Sequence, residues 1–373
     1  MKFKIKASTL KEGLSIVNHA VANITTTPIL ETILLRVNFG NIVLISNNLE
    51  MAIEYVIKEN VEIFSEGSFA IPSKLFTSLV SLIDDDEIEL ELLGQNNLQI
   101  KTENGKTKIK GIEATEFPVI PTIKEEMSIS VKGNILKESI EKTIFSSAEG
   151  NIRPTLAGLY VNIKDGEIIF ASTDSFRLSE YKTKIEKPTD IDFAQIIPNK
   201  TAYEVKSIIK ENEEIKIISG HNQIGFFFGN TKIYSRLLNG KFPDYTNFFP
   251  TTHSTRVEVN RVDLIQALKR VNLISKENNY SIRISFSSQT MTLETGESQI
   301  GEGDVRVTAS LEGEENIIGI NSVYFLEVLG VIDSTHIAIS FESALSPVFI
   351  RPVKEKDKDK QGEFRHIIMP LKI

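Results

Sequence analysis

The chain has 373 residues, no cysteine and a formal net charge of −8 at pH 7. Its length exceeds what one ordinary hydrophobic core supports, so we expect two or three domains, and the lack of cysteine excludes disulfides, thiolate metal ligands and a cysteine nucleophile. The acid excess argues against nonspecific adhesion of the whole surface to nucleic acid, although a local basic patch is compatible with it.

The N-terminal segment MKFKIKASTL alternates apolar and polar residues, which predicts a strand rather than a signal peptide. No apolar run in the sequence approaches the roughly 20 residues that a membrane-spanning helix needs. Because the chain also lacks cysteine, we expect it to lie in a reducing cytoplasm.

The first strand is followed by a polar turn and a helix, and this order recurs twice further along the chain. The three copies begin at Phe3, Ile129 and Val257, with offsets of 126 residues (3 to 129) and 128 residues (129 to 257). In the first helix, apolar residues such as Leu10 and Leu14 recur at helical spacing, and the other two copies repeat the pattern. An internal repeat of this length predicts three similar domains.

A second helix occurs in each repeat. It begins near Pro72, Pro198 and Asn321, residue types that are typical of helix starts, and an alternating strand follows it. Each repeat therefore contains two βαβββ units. Because a single unit cannot cover both its helix and its sheet, we expect pairs of units to share one core in an α+β fold. The predicted domains are residues 1–124, 125–252 and 253–373.

Motifs that would support catalysis or cofactor binding are weak in this sequence. The five histidines are scattered and lack metal-ligand spacing, so we expect neither a metal site nor a cofactor. The segment NGKTK at 104–108 lacks the glycine of a phosphate-binding loop and lies between two strands, which predicts a hairpin turn. The charged segment KEKDKDKQGE at 354–363 predicts a solvated loop.

The segment STDSFRLSEY at 172–181 places Asp174 and Arg177 directly behind an apolar strand. A Ser/Asp/Arg cluster of this kind is compatible with a hydrolase, and that alternative stays open. The same strand pattern occurs at 42–55, and a motif that occurs twice is more often structural, so we favour a turn. A β-rich scaffold that assembles with itself is a second alternative.

Several basic residues lie off the apolar stripes of the predicted helices. They predict one basic helical face, although lysine on exposed helix faces is also common in proteins without a charged ligand. The residues are Lys11, Lys137, Lys142, Lys200, Lys206, Lys210, Lys269 and Arg270.

Further segments support a family assignment. IRPTLAGLYV, STDSFRLSEY, LLNGKFPDYTNFFP and the terminal IIMPLKI, together with the three repeats, resemble the bacterial DNA sliding clamp, the β subunit of DNA polymerase III. The resemblance covers the whole chain and keeps the family's order of motifs. It implies the DNA clamp fold, in which two chains form a head-to-tail ring with the sheets outside and the helices lining the hole.

The same resemblance implies a non-catalytic function in DNA replication and DNA repair. The chain would be a processivity factor that encircles double-stranded DNA and slides on it without sequence preference. It would bind the α subunit of DNA polymerase III, the clamp loader, and other DNA polymerases and repair proteins through their short linear peptides. The resemblance implies no membrane and no cofactor.

The resemblance also assigns candidate residues to three surfaces. The peptide-binding cleft would comprise Leu156, Thr173, Ser175, Phe176, Arg177, Leu178, Pro243, Asn247, Phe248, Ser346, Pro347, Ile367, Met369 and Pro370. Contact with DNA would rest on Lys137, Lys142, Arg153, Lys200, Lys206, Lys269 and Arg270. The dimer interface would place Ile109 near Leu273 and Ile274 of the partner subunit. The chain departs from the family pattern at Ser175, Phe176, Asn247 and Ile24; at Ile24 the family often has an arginine that contacts DNA.

Overall fold

The computed structural model describes residues 1–150, 153–185, 192–353 and 362–372. Within these ranges the chain forms six α-helices and 26 β-strands, so the predicted α+β class is confirmed. None of the helices in the described ranges is long and apolar enough to cross a membrane. Most of the charged segment at 354–363 lies outside the described residues.

The helices occur in three pairs, one pair in each sequence repeat. They are α1 Ala7–Val17, α2 Ser73–Ser81, α3 Gly133–Thr143, α4 Asn199–Ile208, α5 Arg261–Ser275 and α6 Ser322–Val331. On α1 the residues Leu10, Leu14 and Val17 are buried, because an amphipathic helix turns one stripe towards its sheet. Asn260 and Asn321 precede α5 and α6, and their side-chain oxygens accept hydrogen bonds from the first free backbone N–H groups.

The strands are short and follow the same repeat. In the first repeat they are β1 Lys2–Lys6, β2 Thr32–Asn38, β3 Asn41–Asn47, β4 Met51–Ile57, β5 Val61–Ser65, β6 Gly67–Pro72, β7 Glu87–Leu93, β8 Asn97–Lys101, β9 Lys106–Lys110 and β10 Ile112–Glu113. In the second they are β11 Met127–Lys132, β12 Gly158–Lys164, β13 Glu167–Thr173, β14 Arg177–Lys184, β15 Phe193–Pro198, β16 Glu214–Ser219, β17 Gln223–Phe228 and β18 Thr231–Arg236. In the third they are β19 Thr255–Asn260, β20 Ser281–Phe286, β21 Thr290–Thr295, β22 Asp304–Gly313, β23 Asn316–Asn321, β24 His336–Phe341, β25 Val348–Pro352 and β26 Gly362–Ile368.

The predicted βαβββ units are confirmed, because each helix follows one strand and precedes three. For example, α3 lies between β11 and the strands β12 to β14, and α6 lies between β23 and the strands β24 to β26. Strands β5 and β10 are additions to this order. The NGKTK segment forms the hairpin between β8 and β9, where the Thr102 N–H donates to Gly105 O at 2.9 Å, as expected.

The contacts divide the chain into two compact units, and the first contains Met1–Asn134 and Glu204–Leu237. Its five-stranded sheet has the order β5-β1-β7-β8-β9, and its nine-stranded sheet has the order β10-β6-β2-β3-β4-β18-β17-β16-β11. Strands β4 and β18 pair antiparallel, with Tyr55 opposite Thr231. Helix α1 packs against α2 and β4.

The second unit contains Ile135–Tyr203 and Leu238–Ile373. Its strands form one sheet in the order β15-β12-β13-β14-β26-β25-β24-β19-β22-β21-β20-β23. Strands β14 and β26 pair antiparallel, with Tyr181 opposite Phe364. Tyr181 lies 126 residues after Tyr55, so the two tyrosines mark equivalent positions in the two units.

The limits of these units differ from the predicted domain boundaries. Strands β16 to β18 continue the sheet of β4, whereas strands β12 to β14 continue the sheet of β26, so the middle repeat contributes strands to both units. The predicted boundaries stay a prediction, because units defined by contacts follow sheets that continue from one repeat into the next.

Candidate functional site

The turn between β13 and β14 is held by its own side chains. Asp174 Oδ1 accepts hydrogen bonds from the backbone N–H groups of Phe176 (2.8 Å) and Arg177 (3.0 Å), and its Oδ2 accepts one from Arg177 Nε at 3.0 Å. Thr173 Oγ1 donates to Arg177 O at 2.6 Å and accepts from the Ser175 N–H at 3.1 Å. The Asp174 carboxylate is therefore committed to the turn, as short polar side chains often are, which removes the basis for a hydrolase at this position.

The Arg177 side chain is buried on one face of the sheet. Its guanidinium lies 4.3 Å from the Tyr324 ring centroid and forms ion pairs with Asp174 and Glu327. Neighbouring residues of a strand point to opposite faces, so Arg177 and Leu178 face away from each other. Its assignment to the cleft beside Leu178 thus stays a prediction.

An apolar cluster lies on the Leu178 face. Thr173 on β13 pairs with Leu178 on β14, and Leu178 pairs with Ile367 on β26. Ile367 in turn pairs with Phe349 on β25. Leu178, Ile367 and Phe349 belong to one buried cluster that also contains Leu156. The structure therefore brings together three predicted cleft residues from distant segments, Leu156, Leu178 and Ile367.

Other predicted cleft residues are exposed beside this cluster. Phe176 is 59% exposed, Phe248 54% and Met369 38%, and the Met369 N–H donates to Phe176 O at 2.8 Å. Exposed apolar side chains that adjoin a buried apolar floor are typical of an interaction surface. The remaining predicted cleft residues are exposed or partly exposed, namely Ser175, Pro243, Asn247, Ser346, Pro347 and Pro370.

The segment LLNGKFPDYTNFFP was predicted to reach the cleft, but the three buried aromatic residues with which it packs on the cluster were not predicted. Phe242, Tyr245 and Phe249 are buried, and Tyr245 lies edge-on to Phe242 and Phe249 with ring centroids 5.8 and 6.3 Å apart. Tyr160 stacks on Phe242 at 4.7 Å, and Phe349 lies 5.8 Å from Phe249. The spacing of three and four residues between these aromatics in FPDYTNFF was the signal that could have located them.

A buried ion pair supports the same segment. Glu180 is buried and accepts a hydrogen bond from Arg365 Nε at 2.9 Å, and the Arg365 guanidinium lies 4.1 Å from the Phe249 ring centroid. Burial, and next the Glu180 carboxylate, raise the pKa of Tyr245. A buried carboxylate requires such a partner, because an unpaired buried charge is costly.

A buried histidine lies on β26. His366 Nδ1 is 2.8 Å from Ser179 Oγ, which lies 2.7 Å from Ser146 Oγ, while His366 Nε2 has no hydrogen-bond partner among the described residues. Burial, and next the charge of Arg177, lower the pKa of His366 well below its ordinary value. Ser179 and His366 are both fully buried, so a substrate cannot reach this pair.

The structure corrects the assignment of Lys142 to the DNA contact. Its side chain is 7% exposed, and its Nζ lies 2.8 Å from Asp333 and 3.5 Å from Glu138. The same Nζ donates to Val331 O at 3.0 Å. An ammonium group enclosed in this way is not available to a phosphate.

The other predicted DNA contacts remain accessible. Arg153 is exposed, and its Nη1 donates to Ser175 Oγ at 2.6 Å, so it lies beside the turn of the candidate cleft rather than on a helix. Its contact with DNA stays a prediction, and its position makes it a candidate rim residue of the cleft. The helical residues are exposed or partly exposed, namely Lys137, Lys200, Lys206, Lys269 and Arg270.

The structure also corrects the contribution of Ile109 to the predicted dimer interface. The Ile109 side chain is buried in its own sheet, so it cannot contact a partner subunit. Within the described residues its strand, β9, pairs only with β8, which leaves one backbone edge free. Leu273 is 76% exposed and Ile274 is partly exposed. Among the described residues no cluster of three or more His, Asp or Glu side chains could hold a metal ion.

Comparison with known proteins gives a consistent result along the whole chain. Models of the DNA polymerase III beta subunit match residues 1–121 (N-terminal domain), 130–244 (central domain) and 246–372 (C-terminal domain). The beta sliding clamp of Halalkalibacterium halodurans is 30% identical, with 100% of both chains covered, and that of Bacillus subtilis is 29% identical over 94% of this chain and 96% of the relative.

Solved structures agree with these matches. The crystal structure of the DNA polymerase sliding clamp from Bacillus subtilis has a TM-score of 0.93 at 28% identity and covers 100% of this chain and 99% of that chain. The DNA polymerase III beta chain from Streptococcus pneumoniae has a TM-score of 0.94 at 26% identity, with 100% of both chains covered.

Proposed function

The chain belongs to the DNA polymerase III beta subunit family, the bacterial beta sliding clamps, and from this premise we propose its function. It is a non-catalytic processivity factor of DNA replication. Two chains form a ring around duplex DNA, and the ring tethers the replicative DNA polymerase and other DNA-processing proteins to the template. The proposed ring is built from domains 1–124, 125–252 and 253–373, and its place of action is the bacterial cytoplasm.

The observation that carries this proposal is the apolar floor with its exposed rim. Leu178 and Ile367 are buried in the floor, whereas Phe176 and Met369 are exposed and joined by a backbone hydrogen bond. An extended peptide can place two or three apolar side chains against such a surface. Arg153 supplies a rim charge for an acidic residue of the peptide.

The proposed DNA contact uses the exposed and partly exposed cations of the helices. They are Lys137, Lys200, Lys206, Lys269 and Arg270. Because a ring holds DNA by topology, these contacts can be weak, and weak electrostatic contacts permit sliding. The acid excess of the chain does not oppose this, since charges farther away than about 8 Å are largely screened at physiological salt.

The proposed dimer contact joins β9 of one chain to the surface around Leu273 and Ile274 of its partner. The free edge of β9 presents unpaired N–H and C=O groups that can extend the sheet of another chain. Lys106, Lys108 and Lys110 are exposed along β9 and discourage pairing with unrelated edges. The exposed Leu273 gives an apolar surface that dimerisation covers.

Titration of a fluorescently labelled clamp-binding peptide tests the cleft. Met369→Ala removes an apolar contact, and we expect affinity to fall by about 30-fold or more, since a buried anchor contact contributes about 2–4 kcal/mol. Leu75→Ala is the matched control, because Leu75 is an exposed apolar residue of the other compact unit, and its affinity should stay within about twofold of wild type. Equal affinities of Met369→Ala and wild type would contradict the assignment of the cleft.

A further inference from the structure

The internal repeat relates the apolar cluster of the candidate cleft to a second cluster in the first compact unit. Each cluster lies on a sheet of its own unit and contains residues of the segment that ends its repeat. At an offset of 126 residues, the counterparts in the two clusters are Leu30 and Leu156, Ile45 and Ala171, and Ala70 and Ile196. The fold therefore carries the same apolar floor at two places.

The second cluster, which contains Leu30, Ile45 and Ala70, has smaller side chains than the first at two corresponding positions. In the first, Tyr160 stacks on Phe242 and Tyr245 lies edge-on to both. At the repeat offset of 126 residues, Leu34 corresponds to Tyr160. When Phe117-Pro118 is aligned with Phe242-Pro243, Ile120 corresponds to Tyr245. Leu34 and Ile120 are both smaller than the aromatic residues to which they correspond. A cavity of about 340 Å³ lies at this position. Its apolar lining includes Leu34, Ile45, Phe117, Val119 and Ile120.

A larger cavity, lined by more charged residues, adjoins the first one. It measures about 760 Å³, and Arg36 and Glu54 line both cavities. Four exposed cations line it, namely Arg36, Lys58, Lys216 and Lys232. Only two acids do so, Glu54 and Glu214, and Glu54 already accepts a hydrogen bond from Tyr234 Oη at 3.2 Å. Lys232 Nζ lies 4.0 Å from Glu54 and Lys216 Nζ lies 3.8 Å from Glu125, and both lysine side chains are about half exposed, so each can take a further acidic partner. With four lining cations against two lining acids this surface is locally basic, whereas the whole chain carries a net charge of −8.

One row of cross-strand partners runs through both cavities. Side chains at paired positions of an antiparallel sheet share a face, so the row forms a continuous floor. From one end to the other the row consists of Leu34, Ile45, Glu54, Lys232, Phe227 and Lys216. The floor therefore changes from apolar at Leu34 and Ile45 to basic at Lys232 and Lys216.

We propose that the two cavities form one groove, the N-terminal groove, which binds an extended acidic peptide segment of a partner protein. An apolar side chain of the peptide fills the cavity over Leu34 and Ile45, and acidic residues meet Lys232 and Lys216. Lys232 lies two strands beyond the strand of Ile45, and Lys216 lies four strands beyond it. With about 4.8 Å between strands and about 3.3 Å per extended residue, the acidic residues belong about three and about six positions from the apolar anchor.

The groove fits a peptide better than a nucleic-acid strand. Glu54 lies in the row between Ile45 and Lys232, where a continuous phosphodiester backbone would meet repulsion but a peptide can place an uncharged residue.

A short fluorescein-labelled peptide tests the groove by titration against the full chain. The peptide carries one leucine and has glutamates at the two spacings given above; a second peptide has lysines in their places. We expect the glutamate peptide to bind more tightly than the lysine peptide. Lys232→Glu and Lys216→Glu should each lower the affinity for the glutamate peptide about fivefold, which corresponds to about 1 kcal/mol per charge contact. Leu34→Tyr with Ile120→Tyr, which restores the aromatic filling of the other cluster, should block binding.

Two control variants separate this groove from other sites. Lys164→Glu makes the same charge change at an exposed residue of the second unit and should leave affinity unchanged, as should Met369→Ala in the candidate cleft. Equal binding of both peptides, unchanged affinity in Lys232→Glu, or an equal loss in Lys164→Glu would overturn the proposal. A loss in Met369→Ala would place the peptide in the cleft instead. If a single-stranded oligonucleotide displaces the peptide, and if Lys232→Glu and Lys216→Glu also weaken binding of that oligonucleotide, the groove is a nucleic-acid site instead.

Discussion

Lys142 occupies a position on α3 that helical periodicity assigns to solvent, yet its ammonium group is enclosed. Asp333 and the Val331 carbonyl, which enclose it, belong to the end of α6 and the residues after it. Periodicity identifies the polar face of a helix but does not show which later segment packs against that face. The role of a lysine is therefore decided by partners that are distant in sequence.

Reversing this charge should destabilise the fold. Lys142→Glu places a third carboxylate beside Asp333 and Glu138, and we expect the free energy of unfolding to fall by about 3 kcal/mol, with a lower urea midpoint. Lys200→Glu is the matched control on an exposed position of α4 and should change stability by less than about 0.5 kcal/mol. Equal urea midpoints for Lys142→Glu and Lys200→Glu would contradict the structural role of Lys142.

His366 couples protonation to unfolding. Burial and the charge of Arg177 hold its pKa well below 6.5, so between that low value and 6.5 the unfolded chain binds a proton that the folded chain does not. The unfolding free energy should therefore fall as pH falls below about 6.5, by about 1.4 kcal/mol per pH unit from this residue.

Thermal unfolding between about pH 7 and about pH 5 measures this effect. We expect His366→Gln to show a weaker pH dependence than wild type, because the group that titrates on unfolding is gone. His336→Gln, at an exposed histidine, should keep the dependence of wild type. If His366→Gln and wild type lose stability in parallel, the buried histidine is not the source.

At the scale of elements, the aromatic segment 242–249 and β26 depend on each other. Phe249 of the segment packs against the guanidinium of Arg365 on β26, and Arg365 neutralises Glu180 on β14. The ion pair therefore joins β14 to β26, and the contact of Arg365 with Phe249 joins both strands to the aromatic segment. Leu178 lies two residues from Glu180 and Ile367 two residues from Arg365, so this arrangement holds both at fixed positions in the floor.

A double-mutant cycle tests this link. Arg365→Met leaves the buried Glu180 carboxylate unpaired, and we expect a loss of about 3 kcal/mol, the low end for a buried pair because Arg365 is partly exposed. Adding Glu180→Gln removes the buried charge and should restore most of the loss. The measurement is urea unfolding of wild type, both single variants and the double variant. A double variant no more stable than Arg365→Met would contradict the account.

The local elements could be predicted from the sequence, because their signals are local. Helical spacing of Leu10 and Leu14 and the residues that start helices, such as Asn321, gave all six βαβββ units. The long-range pairs could not be predicted. Glu180 and Arg365 lie 185 residues apart and Lys142 and Asp333 lie 191 apart, so their pairing depends on which strands and helices meet.

The candidate site could likewise be predicted only in part, because the sequence identifies its residues but not their long-range neighbours. Family motifs located the floor residues Leu156 and Ile367, because a motif identifies a residue by its place in the sequence and needs no information about its neighbours in the fold. They did not show that Ile109 is buried in its own sheet, since alternation in KTKIK does not distinguish an inner face from an interface. The covering aromatics Phe242, Tyr245 and Phe249 were missed because their spacing of three and four residues is typical of a helix, whereas the segment forms no α-helix.

At the scale of the whole molecule, retention on DNA depends on topology rather than on affinity. An acidic chain with a small number of exposed helical cations is a poor DNA binder in the ordinary sense. A closed ring of two such chains nevertheless remains on DNA, because it can leave only at an end or by opening. Closure depends on the dimer contact, so a charge placed at Leu273 should abolish retention without changing any cation.

Retention on DNA with and without ends tests this central claim most directly. The chain is loaded onto a closed circular plasmid by a clamp loader, and gel filtration separates bound from free protein before and after a single cut. We expect retention on the circle, loss after linearisation, and no retention of Leu273→Asp, since burying an unpaired charge opposes dimerisation. Equal retention on circular and linear plasmid, or wild-type retention of Leu273→Asp, would contradict the ring.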